Sequence, residues 1–111
     1  MHSPLRITTA DGSFNAYVAR PQKLPAPAIV VVHEVFGVNA DMRQSCDELA
    51  PQGYLAICPD LFWRIEPGID ITDQTDAEWA RAFELSNTFD VDKGIEDIAA
   101  TIDKVRQDPG C

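Results

Sequence analysis

The chain has 111 residues, enough for one domain at most. Hydrophobic residues make up 45% of it, which excludes intrinsic disorder, and no apolar run approaches the roughly 18 residues of a membrane-spanning helix. Asp and Glu number 18 against 9 Lys and Arg, a net charge of −9, so the surface repels phosphate backbones and nucleic acid is not an expected partner.

Leu5-Arg6-Ile7-Thr8 alternates apolar and polar, Asp11-Gly12 is a tight-turn signal, and Phe14 to Val18 alternates again, which predicts a hairpin. Pro21, Pro25 and Pro27 then interrupt regular structure. Ala28-Ile29-Val30-Val31-Val32 is a continuous, largely β-branched run, the pattern of a strand covered on both faces in a parallel sheet. After a loop at 33–39, Asn39 is a candidate helix N-cap. Met42, Cys46, Leu49 and Ala50 follow at helical spacing, and Gly53 marks the helix end. Tyr54 to Cys58 predicts a second buried strand, ended by Pro59-Asp60. Together these elements make a βαβ unit with parallel strands.

Residues 61–75 lack a clean period and predict a long excursion. A helix is expected over Asp76 to Phe89 with Trp79, Ala82, Phe83 and Ser86 on one face. A last helix follows Asp90, with Ile95, Ile98, Ala99, Ile102 and Val105 as its apolar stripe. The cluster Asp70, Asp73, Asp76 and Glu78 fits a solvated loop and helix start. The fold class is therefore α/β. A stripe this complete calls for a further strand beneath it, so the expectation is a single but incomplete unit, an N-terminal segment or one half of something larger.

Cys46, Cys58 and Cys111 show no metal-ligand spacing. Cys46 and Cys58 lie among apolar neighbours and are expected to be buried, inert thiols. Met1 to Thr9 carries no export-signal pattern, so a reducing, cytoplasmic setting is expected.

The chemistry concentrates in His33-Glu34-Val35-Phe36-Gly37, at the carboxyl end of a predicted parallel strand, where ligands collect in open α/β sheets. Apolar neighbours should partly desolvate Glu34 and suit it to proton handling, and the loop N–H groups are available to an oxyanion. Equally, Glu34 fits a helix-capping or Arg-pairing carboxylate, and His33 fits packing against the strand end.

In order along the chain, Ile29 to Asn39, Met42-Arg43, Leu49-Ala50, Gly53-Tyr54, Cys58-Pro59-Asp60-Leu61-Phe62, Pro67-Gly68 and Phe89-Asp90 resemble the N-terminal half of the dienelactone hydrolase family. The resemblance runs from about residue 5 to residue 108. It implies an α/β-hydrolase fold, a Cys-His-Asp triad, ester or lactone hydrolysis of a small-molecule substrate, and no metal or organic cofactor. It further implies that Glu34 helps set the ionisation of the nucleophilic thiol, that the Val35 N–H serves the oxyanion hole, and that Phe36 lines the substrate pocket.

Two departures from the family pattern matter. No Gly-x-Cys-x-Gly or Gly-x-Ser-x-Gly elbow occurs, Cys111 does not fit one, and neither His2 nor His33 stands where the triad histidine would. The nucleophile Cys, the Asp and the His are thus expected in a segment beyond these residues, and the 111 residues alone are expected to be inactive. Where the family carries a substrate-binding Arg, the alignment places Trp79, and a family Tyr becomes Phe83. Arg81 is about 200° away around the helix. A less charged ester or lactone fits that face, although Trp79 and Phe83 also fit a plain packing pair at i and i+4. Two other classes stand beside the hydrolase. One is a non-catalytic module that docks a partner or dimerises through an open sheet edge. The other is a small flavodoxin-like nucleotide binder, against which the lone Gly37 gives no phosphate cradle.

Overall fold

Alternation at the start of the chain builds β1 (Leu5–Thr9) and β2 (Gly12–Ala19), an antiparallel pair in which Leu5 faces Ala16 and Thr9 faces Gly12. The structure is a computed structural model that describes residues 4–111, so His2 and the first residues of the Met1–Thr9 segment lie outside it. The expected βαβ unit follows as β3 (Ala28–Val30), α1 (Ala40–Leu49), a single 3-10 turn (Ala50–Gln52) and β4 (Leu55–Pro59). β3 and β4 are direct parallel neighbours, and β2 closes on the other side of β4 antiparallel, giving the order β1-β2-β4-β3. After the excursion come α2 (Asp76–Thr88) and α3 (Val91–Arg106). Among the described residues no helix is long and apolar enough to cross a membrane.

Among the described residues β4 is the one strand whose every residue is buried, and its alternation sorts the core. Leu55 and Ile57 point to the face where Ile7, Phe14, Val18 and Val105 of α3 gather. Ala56 and Cys58 point to the opposite face, against Ala19 and Cys46 of α1. The sheet is thus the middle of an α/β/α sandwich. Each fully buried aliphatic side chain contributes roughly 1.5–3 kcal/mol of transfer free energy.

Asn39 and Asp90 cap their helices as expected. The Asn39 side chain accepts from the Met42 N–H at 3.1 Å, and the Asp90 carboxylate accepts from the Lys93 N–H at 3.1 Å. Thr75 caps α2, with Glu78 reaching back to the Thr75 hydroxyl.

Two expectations are corrected. β3 was expected to be covered on both faces through Val32; it ends at Val30, its residues are only half-buried, and Val32 is 53% exposed. The cause is position: in the observed order β3 is an edge strand. α3 is turned partly off its aliphatic stripe as well: of that stripe Val105 is buried, Ile98 and Ile102 are half-buried, and Ile95 and Ala99 are exposed. Its buried residues are Gly94, Asp97, Thr101 and Val105, while Val91 and Ile95 are exposed.

The rotation of α3 has a polar origin. Asp97 has no solvent exposure, and its carboxylate receives Arg64 Nε and Nη2 at 2.9 and 2.8 Å and the Trp63 indole N–H at 2.9 Å. Arg64 also reaches Asp11 in the β1–β2 turn at 2.7 Å and lies 4.7 Å from the Trp63 ring centre. Gly94 allows the Phe89 ring to press on the helix, where a Cβ would collide with it. A buried carboxylate must keep its partners, so this cluster fixes which face of α3 turns inward. Asp97→Asn, which keeps the shape and removes the charge, is expected to lower unfolding free energy by about 3 kcal/mol in urea melts.

Candidate active site

The turn after β3 is built around His33. Its side chain is buried between the carboxyl ends of β3 and β4, where it lies against Phe62 with ring centres 4.8 Å apart. Nδ1 donates to the Glu34 carbonyl at 2.7 Å, and Nε2 accepts from the Leu61 N–H at 2.9 Å. That pattern requires the neutral imidazole, and burial holds the His33 pKa below its ordinary 6.5. The role left open by the sequence is therefore structural: His33 fastens the turn to the next strand end.

The same Glu34 carbonyl accepts the Gly37 N–H at 3.3 Å and closes the turn at 34–37. Gly37 has φ +79°, and a Cβ there would collide with the Ile69 carbonyl. The excursion is zipped onto the turn at this point. Gly37 bridges to Asp70, the Ile71 N–H donates to the Phe36 carbonyl at 3.1 Å, and Asn39 Nδ2 donates to the Ile71 carbonyl at 2.9 Å. Arg43 adds bonds to the Val38 carbonyl at 2.8 Å and to Asp70 at 2.9 Å.

At the end of β4, the buried Asp60 carboxylate receives the Phe62 and Gly68 N–H groups at 3.2 and 2.8 Å and shapes the first part of the excursion. Its burial pushes its pKa up.

Held this way, the turn presents Glu34, Val35 and Phe36. Glu34 is exposed, not partly desolvated as its apolar neighbours suggested, because the edge position of β3 leaves it open to water. The Val35 N–H takes no acceptor among the described residues. Phe36 meets Trp79 edge-on at 5.2 Å, and Trp79 lies 5.8 Å from Phe83. Trp79 and Phe83 are 40% and 61% exposed, so they are not core; Ala82 and Leu85 bury α2 instead. Arg81 pairs with Glu66 and Glu84, away from this aromatic row.

Two depressions flank Glu34. One of about 190 Å³ lies between Glu34, Val35, Phe62, Ser86 and Phe89. The other, of about 240 Å³, lies between Glu34, Phe36, Asp41 and Asp73. A larger hollow of about 390 Å³ beside Tyr17, Arg43 and Asp60 contains none of the turn's candidate groups, and the strand-end position favours the Glu34 side.

No thiol of the chain sits with Glu34. Cys46 and Cys58 are fully buried, and their mutual contact, reinforced by burial, pushes the Cys58 thiol up. Cys111 is exposed, but the Ala26 N–H donates to the adjacent Gly110 carbonyl at 2.9 Å, which puts it near the amino end of β3, the opposite end from Glu34. The sequence offered no signal for Arg64 or Asp97, which lie 33 positions apart and pair across segments.

Comparisons with known proteins agree with one another. The profile of the dienelactone hydrolase family matches residues 14–111. The carboxymethylenebutenolidase of Pseudomonas putida is 42% identical over 106 residues, covering 95% of this chain and 45% of that protein. An Azospirillum brasilense protein assigned as a carboxymethylenebutenolidase is 62% identical over 84 residues, covering 75% of this chain and 36% of that protein. The crystal structure of a Klebsiella pneumoniae protein assigned as a dienelactone hydrolase superposes with a TM-score of 0.81 at 26% identity, over all of this chain and 45% of that one. The chain thus spans less than half the length of these relatives.

Two outcomes test the turn. His33→Ala leaves the Leu61 N–H and the Glu34 carbonyl without their partner and is expected to cost about 1–3 kcal/mol. The folded state disfavours the imidazolium, so wild-type stability is full above the ordinary pKa of 6.5 and declines as pH falls below it. Urea melts from pH 8 to 5 should show that decline, and the variant should lose the part of it that His33 contributes. Gly37→Ala must strain φ and push off the Ile69 carbonyl, so hydrogen exchange should show faster opening of the 69–71 amides.

Proposed function

The chain belongs to the dienelactone hydrolase family, and we propose that it forms the accessory part of a site that hydrolyses carboxylic esters or lactones through a thiolate supplied from outside these 111 residues. The observation that carries this reading is the turn at 34–37: an unpaired Val35 N–H beside an exposed Glu34 carboxylate, at the carboxyl end of a parallel strand. In the proposed reaction the thiolate attacks the acyl carbon, and the Val35 N–H stabilises the oxyanion that forms. The alkoxide then leaves with a proton, and water cleaves the thioester. Glu34 sits next to the thiol, where its negative charge helps set the thiol's ionisation by disfavouring the thiolate. Phe36, Trp79 and Phe83 line the substrate's side of the cleft. The family's Asp and His triad members come from the same missing part as the thiol.

Val35 stands second in its turn, a position where proline is favoured. Val35→Pro therefore removes the N–H with little effect on the fold. In the full-length natural protein it should lower kcat on an aryl ester by about 10²–10³-fold while the thermal midpoint holds. A fall below threefold would contradict the oxyanion role. Glu34→Gln removes a negative charge beside the thiol, so the acid limb of the kcat/KM profile should move to lower pH. An unmoved limb would separate Glu34 from the nucleophile.

A second reading, a non-catalytic module that pairs through the β3 edge, is favoured by the exposure of Val32 at that edge. It requires a dimer of the natural protein with no hydrolysis, which sedimentation and an ester assay distinguish.

A further inference from the structure

The aromatic row and the charges around Glu34 select among esters. Resting on the hydrolase reading, we propose that this site takes esters carrying an uncharged aromatic ring, seated on Phe36, Trp79 and Phe83, and discriminates against substrates carrying a carboxylate.

Three observations meet here. Trp79, Phe83 and Ser86 fall on one face of α2 by helical geometry, and Ser86 lines the same depression as Glu34 and Val35. The row therefore starts at Phe36, in the turn itself, and runs along α2 to Ser86, which lines the depression beside Val35.

Second, the row is held from within the protein and left open to solvent. The Trp79 indole N–H donates to the Asp73 carbonyl at 3.0 Å, which fixes the ring, and Phe36 meets it edge-on at 5.2 Å. Trp79 and Phe83 keep 40% and 61% of their surface exposed. A fixed, exposed aromatic row offers a ligand ring both faces and edges for contact, with little ordering left to do on binding.

Third, the charges are of one sign. Glu34, Asp41 and Asp73 line the two depressions, and no Lys or Arg does so among the described residues. The nearby cations are occupied: Arg81 pairs with Glu66 and Glu84, and Arg43 with Asp70 and the Val38 carbonyl. A substrate carboxylate entering this space loses water, gains no cationic partner from the described residues and meets like charges. An uncharged ring meets none of these costs.

The test uses the full-length natural protein and two matched pairs of probes. Phenyl acetate and 4-acetoxybenzoate report hydrolysis; acetanilide and 4-acetamidobenzoate, which resist it, report binding through the NMR shift of the Trp79 indole N–H, assigned by comparison with Trp79→Phe. The expected result is a kcat/KM at least about tenfold higher for phenyl acetate, tighter binding of acetanilide to the wild-type protein, and a reversal of the hydrolytic preference in Trp79→Arg. Equal or better handling of the carboxylate probes overturns the proposal even if ester hydrolysis is efficient. A Trp79 signal that moves with neither amide also overturns it, because the row is then covered by protein. Selective acetanilide binding without hydrolysis of either ester upholds the aromatic seat and overturns the hydrolase reading on which it was built.

Discussion

His33 stands where two parallel strands end, and both of its ring nitrogens are committed to backbone. One bond fixes the carbonyl of the next residue, Glu34; the other fixes Leu61, where the long excursion begins. Because the Glu34 carbonyl also closes the turn on Gly37, a single imidazole orients the segment that presents the Glu34 carboxylate and the Val35 amide. The geometry works only while the ring is neutral: a second ring proton leaves Nε2 with no lone pair for the Leu61 N–H. Burial keeps the ring in that state. A turn preorganised in this manner costs little to hold when charge develops on a substrate oxygen, which is the condition for electrostatic stabilisation of a transition state.

The rest of the molecule supports that edge from behind. β4, buried along its whole length, hydrogen-bonds to β2 on one side and β3 on the other, and distributes its side chains to two cores. The Arg64–Asp97 pair then locks the excursion to α3 and, through Asp11, to the hairpin. This clamp turns the polar face of α3 inward and leaves Val91 and Ile95 in solvent, as the edge position of β3 leaves Val32.

Much of this was legible in the sequence. The hairpin, the βαβ unit and the Asn39 and Asp90 caps rest on local patterns: alternation, a β-branched run, and a polar side chain three residues before a free N–H. The motif running from Ile29 to Asn39 located the candidate turn and its family. What local pattern missed depends on distant partners. The five-residue apolar stripe of α3 placed Val105 correctly but missed how far the helix is turned, because Arg64, 33 positions before Asp97, draws that buried charge inward. Glu34 was expected to be desolvated because its neighbours are apolar, yet exposure is decided by whether a strand lies beside β3. His33 was ambiguous for the same reason, since its second partner lies 28 positions away. Trp79 and Phe83, an ordinary packing pair by spacing, became an exposed aromatic row because Ala82 and Leu85 supply the buried face of α2.

The central claim is that these residues prepare a site for a thiol they do not themselves contain. The most direct measurement is to acylate the full-length natural protein with a slowly deacylating aryl ester and map the adduct by mass spectrometry. The account predicts one acyl group on a cysteine outside residues 1–111, with Cys46, Cys58 and Cys111 unmodified. An adduct on any of those three, or turnover with no cysteine adduct at all, would contradict it.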